Sequence, residues 1–342
     1  MKILFLHARR ELTRKALFDP TNYQRKLSKG LVRNGHDVLG FSYLDCLAQL
    51  SPFSSRKLAR FARAKALGLL SETVRQYRPD VVMVSHLKRL DRRILELVKE
   101  QASGATYVAL YGDQSRGCDP RVVAVARLCD WLVATSAGDV LTRYKDAGVP
   151  HCAFMPNPAD PDIEGPRQVE PKWRSEMLFT GKISHKLAGQ DGEREGLIRR
   201  LVDERGMTVW GCLGRSSISG RDYTDAICGT KIALSVNAFN DVRLYHSDRL
   251  THYLSHGAFV LAKYVPGSEL LLRDGEHLCY FNTPAQCLEG IDRALADNDR
   301  RRAIAHAGMR RVHDAFNCER MAANIMELVT NGEYKEDWAE IV

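Results

Sequence analysis

The sequence lacks the glycine-rich signatures of the commonest nucleotide-dependent enzymes. After the first apolar segment, MKILFLH, the chain continues with Ala8 and Arg9 and has no glycine before Gly30. A nicotinamide or flavin enzyme would carry G-x-G-x-x-G at this point, because glycine lets the backbone approach a pyrophosphate closely. The phosphate loop G-x-x-x-x-G-K-[ST] is also missing from the whole sequence. These absences argue against a dehydrogenase and against a P-loop NTPase.

The nine cysteines form no C-x-x-C pair and are widely scattered. Their odd number and spacing suit neither a disulfide framework nor a structural zinc site, so we expect reduced thiols, no bound metal and a cytoplasmic location. No apolar run approaches the ~20 residues that span a bilayer. The first apolar run is followed by arginines without a small-residue cleavage site, which predicts a β-strand and not a signal peptide.

The positive charge is concentrated in the first half of the chain. Residues 1–165 contain 26 Lys and Arg against 17 Asp and Glu, a balance of +9. Residues 166–342 contain 24 against 25, a balance of −1, and the two sum to the net charge of +8. A basic half predicts an anionic partner, such as nucleic acid, a phospholipid surface, or an anionic glycan or lipid phosphate. Nucleic acid is disfavoured, because no recognisable binding module or aromatic platform is present.

Short apolar segments alternate with amphipathic segments along the chain. The predicted strands are MKILFLH, DVLGFSY, DVVMVSH, TYVALYG, DWLVATS and HCAFMP, then SEMLFTG, MTVWG, KIALSV, AFVLAK and HLCYF. Helices are predicted between them, near 21–34, 55–78, 90–101, 119–128 and 137–147 in the first series and near 191–204, 221–228, 248–256, 267–272 and 284–296 in the second. Residues 298–341 are predicted to be helical apart from breaks near Asn317 and Gly332. This alternation predicts parallel βαβ units. The predicted fold class is therefore α/β, with two Rossmann-like domains facing a central cleft and C-terminal helices.

A proline-rich segment, PNPADP at 156–161, separates the two series of strands. Prolines at this density continue neither a strand nor a helix, so the segment is predicted to be a linker. The predicted domains are 1–165 and 166–330, with 331–342 forming a C-terminal helix that packs back on the first domain. The triplet Asp160-Pro161-Asp162 imitates a metal-binding D-x-D motif, but its place in this linker indicates coincidence.

The segment RLYHSDRLTHYLSHGAFVLAKYVPGSE, residues 243–269, carries the clearest chemical signal. Ser247 is a good N-cap for a helix that starts at about Asp248, and such a terminus favours anions. Arg243 and Arg249 crowd the same end, where cations oppose the helix dipole. A bound pyrophosphate would explain them. The alternative is that Asp248 satisfies the dipole and the arginines are solvated.

A second candidate lies where the strand SEMLFTG runs into Gly181 and Lys182. A glycine followed by a lysine at the end of a strand lets the backbone approach a phosphate and places a point charge on it. A plain surface turn is the alternative interpretation.

Several motifs occur in one order: FTGK, KIALSVNAFND, the segment from Ser247 to Phe281, and DNDRRRAIAHAGMRRVHDAF. Together they resemble the donor domain of bacterial GT-B glycosyltransferases of the glycosyltransferase group 1 superfamily, closest to the CgeB-like group. The resemblance covers about residues 175–330. It implies metal-independent transfer of a sugar, without a cofactor, from a nucleotide-diphosphate sugar to a glycan, lipid-linked or other hydroxyl acceptor, in bacterial surface polysaccharide or glycoconjugate synthesis. The first domain would then be the acceptor side.

The resemblance also implies donor-binding roles for seven residues: Gly181, Lys182, Asn237, Ser247, Arg249, His252 and Glu269. One of them departs from the pattern of the retaining members. Their E-x7-E motif would place glutamates at Leu244 and His252. The stereochemistry and the ribose contact therefore stay open, and His252 either hydrogen-bonds a ribose hydroxyl or is simply a buried histidine.

The first half offers candidates for the acceptor side. An inverting mechanism needs a general base, and Asp113 in YGDQ follows a predicted strand. His7 and His86 also end strands and are predicted to contact the acceptor. A retaining mechanism would need no such base.

Residues 55–70, SRKLARFARAKALGLL, form a basic amphipathic pattern with Leu58, Phe61, Ala62 and Leu69 predicted on one face. Such a helix is typical of an enzyme that binds the inner face of a membrane peripherally, and equally of an ordinary surface helix. The alternatives to a transferase are a GT-B-fold sugar-nucleotide epimerase, or a non-catalytic protein that binds nucleotide sugars or nucleic acid.

Overall fold

The structure, a computed structural model, describes residues 1–10, 19, 22–51, 56–112, 117–183 and 191–342. The chain divides into two compact units: unit 1 comprises residues 1–17, 27–155 and 319–342, and unit 2 comprises residues 18–26 and 156–318. The predicted boundary at 165/166 lies ten residues beyond the observed division at 155/156. The composition predicted where the linker lies, but not to which unit it belongs. The proline-rich segment packs in unit 2, where Cys318 N donates a hydrogen bond to Ala159 O (2.8 Å).

Unit 1 is built on six parallel strands in the order β2-β1-β3-β4-β5-β6. Their sequences are short and apolar, and β3 and β5 are buried along their whole length, as expected where helices cover both faces of a parallel sheet. The order reverses direction between β1 and β3. The strands are β1 (Lys2–His7), β2 (Asp37–Ser42), β3 (Val81–Ser85), β4 (Thr106–Tyr111), β5 (Trp131–Ala134) and β6 (His151–Phe154).

Six helices connect these strands in the described ranges. One of them was not predicted: α2 begins directly after β2, because the Ser42 side chain accepts a hydrogen bond from Asp45 N and caps it. The helices are α1 (Tyr23–Arg33), α2 (Tyr43–Leu50), α3 (Arg56–Tyr77), α4 (Arg92–Gln101), α5 (Pro120–Ala126) and α6 (Asp139–Asp146).

The packed face of α3 differs from the predicted one. Its buried side chains follow a helical repeat of four: Ala62, Ala66, Leu70 and Val74. Phe61 is 66% exposed and Leu69 is 45% exposed. The prediction that Phe61 and Ala62 share one face is therefore wrong, since Ala62 packs inward while Phe61 points to solvent.

The chain returns to unit 1 with α12 (Cys318–Asn331) and an extended tail. The predicted helix over 331–342 is wrong, because α12 ends before Gly332, which has a φ of 79°. Ile341 instead forms an antiparallel bridge with Ala153, and Cys152 N donates to Val342 O (2.9 Å). The tail thereby covers the edge strand β6.

Unit 2 has five parallel strands in the order β11-β10-β9-β7-β8, which is the topology of unit 1 with one strand fewer. The order reverses direction between β7 and β9. The strands are β7 (Ser175–Thr180), β8 (Thr208–Trp210), β9 (Thr230–Ser235), β10 (Phe259–Lys263) and β11 (Cys279–Phe281).

The described part of unit 2 contains five further helices, and α7, α10 and α11 contribute buried side chains to its main core. The helix predicted over 267–272 is only a short 3-10 turn, Ser268–Leu270. The helices are α7 (Asp191–Arg205), α8 (Arg221–Cys228), α9 (Asp248–Ser255), α10 (Pro284–Ala296) and α11 (Asn298–Ala315).

The two sheets confirm the prediction of two Rossmann-like α/β units followed by C-terminal helices. Among the helices in the described ranges, none combines the length and apolarity that crossing a bilayer requires.

Candidate functional site

The candidate site lies where the strand order of unit 2 reverses. β7 and β9 are neighbours in the sheet, with Leu178 opposite Ala233, so their carboxyl ends at Thr180 and Ser235 lie side by side. Open parallel sheets bind ligands at such a reversal, outside the carboxyl ends of the strands. Two of the predicted motifs, the FTGK turn and the segment after β9, therefore meet at one place.

Arg249, in the first turn of α9, joins these two strand ends. Its Nη1 donates to Thr180 O (2.9 Å) and its Nη2 donates to Val236 O (2.7 Å). The guanidinium also stacks over the Phe179 ring, 4.8 Å from its centroid, and Arg249 is only 7% exposed. Within the described part of the chain, its Nε has no hydrogen-bond partner and no carboxylate forms an ion pair with it. A buried cation without a counter-ion is costly, which indicates that an anion binds there.

Gly181 lies directly against this guanidinium. Its φ is 150°, and a Cβ built there would be 2.6 Å from Arg249 Nη1. The position therefore requires glycine for two reasons, backbone conformation and space. Lys182 follows and is exposed to solvent.

Arg194 of α7 belongs to the same site, and sequence reasoning missed it. Its guanidinium lies 5.3 Å from the Phe179 ring centroid, and its Nη2 would be 3.4 Å from a Cβ at Gly181. In the charged run EREGLIRR it resembles a solvated side chain. The available signal was its spacing, because Arg194 stands three and four residues before the buried Leu197 and Ile198 and so shares their helix face.

Asn237 and Ser247 organise the entry into α9. The Asn237 side chain accepts from Ser247 N (3.1 Å) and donates to Tyr245 O (3.3 Å), and it is 2% exposed. Ser247 caps the helix, accepting from Arg249 N (3.4 Å) and donating to Asp248 Oδ1 (3.1 Å). The predicted N-cap is therefore observed. The Asn237 side-chain amide therefore fixes the loop that precedes α9.

Two buried histidines of this segment are held in their neutral form. His246 Nε2 lies 3.0 Å from Ser268 Oγ, and burial lowers the pKa of His246 to about 4. His252 Nδ1 lies 3.2 Å from the hydroxyl of Tyr223, and burial lowers the pKa of His252 to about 3. His252 is 4% exposed, which favours the interpretation of a buried histidine over a ribose contact.

Glu269 lies on the surface beside a pair of tyrosines. Its Oε2 accepts from Tyr264 OH (3.0 Å), and this hydrogen bond raises the pKa of Tyr264. Tyr264 and Tyr280 pack edge to face, with ring centroids 5.6 Å apart. The preceding residue, Ser268, is the partner of His246, so Glu269 is connected to the start of α9 by a single hydrogen bond and one peptide unit.

The acceptor-side candidates of unit 1 lie at its own strand-order reversal. His7 ends β1 directly opposite Ser85 on β3, and His86 follows with its Nδ1 3.3 Å from Ser85 Oγ. His86 has a φ of 56°, a backbone conformation that residues other than glycine rarely adopt. The structure thus brings His7 and His86 to one edge of the sheet. Asp113 lies outside the described residues.

Comparison with known proteins gives one family match. Residues 193–327 match the family described as glycosyl transferase-like. This segment contains Arg194 and most of the residues assigned above to the start of α9. Curated proteins give no significant match to the chain.

Solved structures with the same fold cover nearly the whole chain. A glycosyltransferase from Rickettsia africae ESF-5 is 14% identical, with a TM-score of 0.61 over 96% of this chain and 98% of its own. Anabaena HepE in complex with UDP-glucose is 13% identical, with a TM-score of 0.59 over 97% and 100%. A Listeria monocytogenes protein provisionally named UDP-N-acetylglucosamine 2-epimerase is 9% identical, with a TM-score of 0.56 over 97% and 96%. At these identities the likeness shows a shared fold, and that fold is the one predicted from the sequence.

Proposed function

We propose that the chain transfers a sugar from a nucleotide-diphosphate sugar to a hydroxyl acceptor, because it has the fold of solved glycosyltransferases and its residues 193–327 match the glycosyl transferase-like family. The observation that carries this proposal is the buried guanidinium of Arg249 at the strand-order reversal, which pairs with no carboxylate among the described residues. A diphosphate is the anion that such a donor would bring to it.

Sugar transfer needs a stabilised leaving group, because breaking the glycosidic bond leaves negative charge on the nucleoside diphosphate. The positive end of the α9 dipole favours an anion, and Gly181 lets the phosphates approach the backbone. Arg249 lies against Gly181 and Lys182 directly follows it in the chain, so both supply positive charge at the turn. We propose that these groups do the work that a metal ion does in other transferases, so that transfer here is metal-independent and uses no cofactor.

The acceptor is proposed to be a glycan or a lipid-linked hydroxyl, in bacterial surface polysaccharide or glycoconjugate synthesis, as expected for a CgeB-like member. His7 and His86, at the strand-order reversal of unit 1, are the described candidates for contacts to it. HepE was crystallised with UDP-glucose, which makes UDP-sugars the first donors to test. No stereochemistry is assigned, since His252 occupies the glutamate position of the retaining pattern.

The proposal is tested by a thermal-shift screen of nucleoside diphosphates and their sugars. A ligand present at 100 times its Kd stabilises the folded protein by about 2.7 kcal/mol. We expect stabilisation by at least one nucleoside diphosphate, with its sugar conjugate stabilising as well. A protein that no nucleotide stabilises would contradict the proposal.

An epimerase is the second candidate, since the Listeria monocytogenes protein shares the fold along nearly the whole chain. An epimerase converts its sugar nucleotide without any acceptor, whereas a transferase consumes the donor only when a hydroxyl acceptor is present. Proton NMR of the nucleotide sugar that the thermal-shift screen identifies, incubated with the protein alone, separates the two. A non-catalytic binding protein would leave the sugar nucleotide unchanged with and without acceptors.

We further propose that α3 contacts an anionic membrane surface from the cytoplasmic side. Phe61 and Leu69 are 66% and 45% exposed, and the basic residues Arg60, Arg63 and Lys65 are exposed on the same helix. Exposed apolar groups among cations are the pattern by which a helix lies on anionic lipid. A lipid-linked acceptor would be met at such a surface.

A further inference from the structure

We propose that Tyr253 is a positioning residue for the turn at Gly181, and that one face of α9 holds that turn ready for the diphosphate. The inference rests on the proposed function, because the turn is taken to be the place where the donor phosphates bind. It concerns Thr180, the last residue of β7, which immediately precedes the turn.

All three polar atoms of Thr180 are bound by residues of α9. Thr180 N donates to Tyr253 OH (2.8 Å), and Thr180 Oγ1 forms a second hydrogen bond with the same hydroxyl (2.8 Å). Thr180 O accepts from Arg249 Nη1 (2.9 Å). Arg249 and Tyr253 are four residues apart and therefore lie on one face of the helix. Tyr253 is fully buried, and Thr180 and Arg249 are 6% and 7% exposed.

A second tyrosine reinforces this arrangement. The Tyr223 hydroxyl of α8 interacts with the Thr180 side chain and lies 3.2 Å from His252 Nδ1. Burial raises the pKa of both tyrosines and lowers that of His252, so all three side chains are neutral around pH 7. The hydrogen bonds that meet at Thr180 therefore do not change with pH in the physiological range.

The consequence for the turn is a fixed backbone. Gly181 N donates to Trp210 O (2.9 Å). The backbones of Thr180 and Gly181 are therefore both hydrogen-bonded before any ligand arrives. Because α9 holds Thr180, the Gly181 backbone and the helix N-terminus keep a constant spacing. A diphosphate that touches both meets a preorganised site and loses less free energy to ordering it.

The test compares variants that differ by one hydroxyl. Tyr253→Phe and Thr180→Val remove the two partners, and Thr180→Ser restores the hydroxyl at residue 180. Tyr107→Phe is the matched control, since it deletes a buried hydroxyl that donates to Ala102 O (2.9 Å) in unit 1. Two quantities are measured: amide hydrogen exchange of peptides covering residues 176–183 in the ligand-free protein, and the Kd for UDP and for inorganic pyrophosphate by calorimetry.

We expect Tyr253→Phe and Thr180→Val to speed exchange at residues 180–181 and to raise both Kd values about three- to tenfold, the usual effect of one lost hydrogen bond. Thr180→Ser is expected to stay within about twofold of the original protein, as is Tyr107→Phe. If Tyr253→Phe does not fold, the pair Thr180→Val and Thr180→Ser decides by the same two measurements.

Faster exchange with unchanged affinity would overturn the positioning role and leave the proposed function intact. Unchanged hydrogen exchange in both Tyr253→Phe and Thr180→Val would show that α9 does not hold the turn in place, and would overturn the inference. If the unmodified protein binds neither UDP nor pyrophosphate, the proposed function and the role of Tyr253 fall together, and that outcome is recognised without any variant.

Discussion

The guanidinium of Arg249 occupies the space that a side chain at Gly181 would need. A Cβ at residue 181 would lie 2.6 Å from Arg249 Nη1, closer than any ordinary contact between such atoms. The two residues are 68 positions apart in the sequence, and each explains the other. Gly181 is required because the arginine is there, and the arginine reaches Thr180 O because residue 181 has no side chain.

Replacing Gly181 with alanine is expected to displace this guanidinium. Hydrogen bonds to a charged group contribute about 1.5–3 kcal/mol, so we predict a loss of about tenfold or more in nucleotide affinity. Overpacking and the unfavourable φ should also reduce the free energy of unfolding by about 1–3 kcal/mol. Calorimetry with UDP and urea unfolding measure the two effects.

Gly206→Ala is the control for this substitution. Gly206 also has a positive φ, 65°, but a Cβ there would meet no atom within 4 Å. It should lower stability without changing affinity. If Gly181→Ala binds nucleotide as tightly as Gly206→Ala does, Arg249 is not part of the nucleotide site.

Arg249→Lys keeps the positive charge but loses the fork that bonds two carbonyls at once. We expect nucleotide affinity to fall about tenfold or more, because a lysine ammonium cannot span Thr180 O and Val236 O in the same geometry. Arg301→Lys is the matched comparison, since Arg301 of α11 is equally buried (7% exposed) and donates to a backbone carbonyl, Ala294 O of α10. Both variants should be less stable in thermal melts, and only Arg249→Lys should bind UDP more weakly. Equal affinities would refute the assigned role.

Acid should destabilise unit 2 through its buried histidines. Burial lowers the pKa of His246 and His256 to about 4 and that of His252 to about 3. The unfolded chain titrates these groups near the ordinary value of about 6.5, so below that pH it binds protons that the folded state does not. Stability is therefore fully present above pH 6.5 and falls as the pH drops towards 4. Each histidine costs about 1.4 kcal/mol per pH unit, or roughly 4 kcal/mol for three at pH 5.5.

Urea unfolding at pH 7.5, 6.5 and 5.5 measures this dependence. His256→Gln removes one of the three titrating groups. Below pH 6.5 it should therefore reduce the slope of the free energy of unfolding against pH by about 1.4 kcal/mol per pH unit. A free energy of unfolding that stays constant from pH 7.5 to 5.5 would contradict this prediction, because the folded protein would then bind as many protons as the unfolded chain.

Membrane binding through α3 predicts a salt-dependent interaction. Vesicles with anionic lipid should sediment the protein at low salt and release it at high salt, because ions screen the attraction of the exposed cations. Phe61→Ser combined with Leu69→Ser should reduce the bound fraction several-fold. Val32→Ser, which changes another exposed apolar residue on α1 (56% exposed), should have little effect. Absence of co-sedimentation at every salt concentration would rule this surface out.

The strands and the helix N-cap were predictable because their signals are local. Runs such as VVMVS and FVLAK are apolar over the length of a strand, and Ser247 stands where a helix must begin. Short-range rules decide such features without knowledge of the fold. The parallel arrangement of the strands then followed from the alternation of strands and helices.

The features that could not be predicted from the sequence depend on contacts between residues far apart in the chain. Arg194 in a charged run gives no local sign that it stacks on Phe179. The tail after Gly332 could not be assigned to β6, because its pairing is decided by the open edge of a strand far back in the chain. His252 was expected either to contact a ribose or to be buried, and its burial beside Tyr223, which favours the second, depends on the packing of α8 against α9.

The bridge between Ala153 and Ile341 has a consequence for synthesis on the ribosome. All six strands of unit 1 have been synthesised once the ribosome has passed Phe154. The segment that covers β6 is made only after all of unit 2. Unit 2 is able to fold as it emerges, whereas the sheet of unit 1 must keep an uncovered edge until its last partner arrives. That edge is a surface on which nascent chains can pair wrongly, so premature termination after α11 should yield a product that aggregates and depends on chaperones.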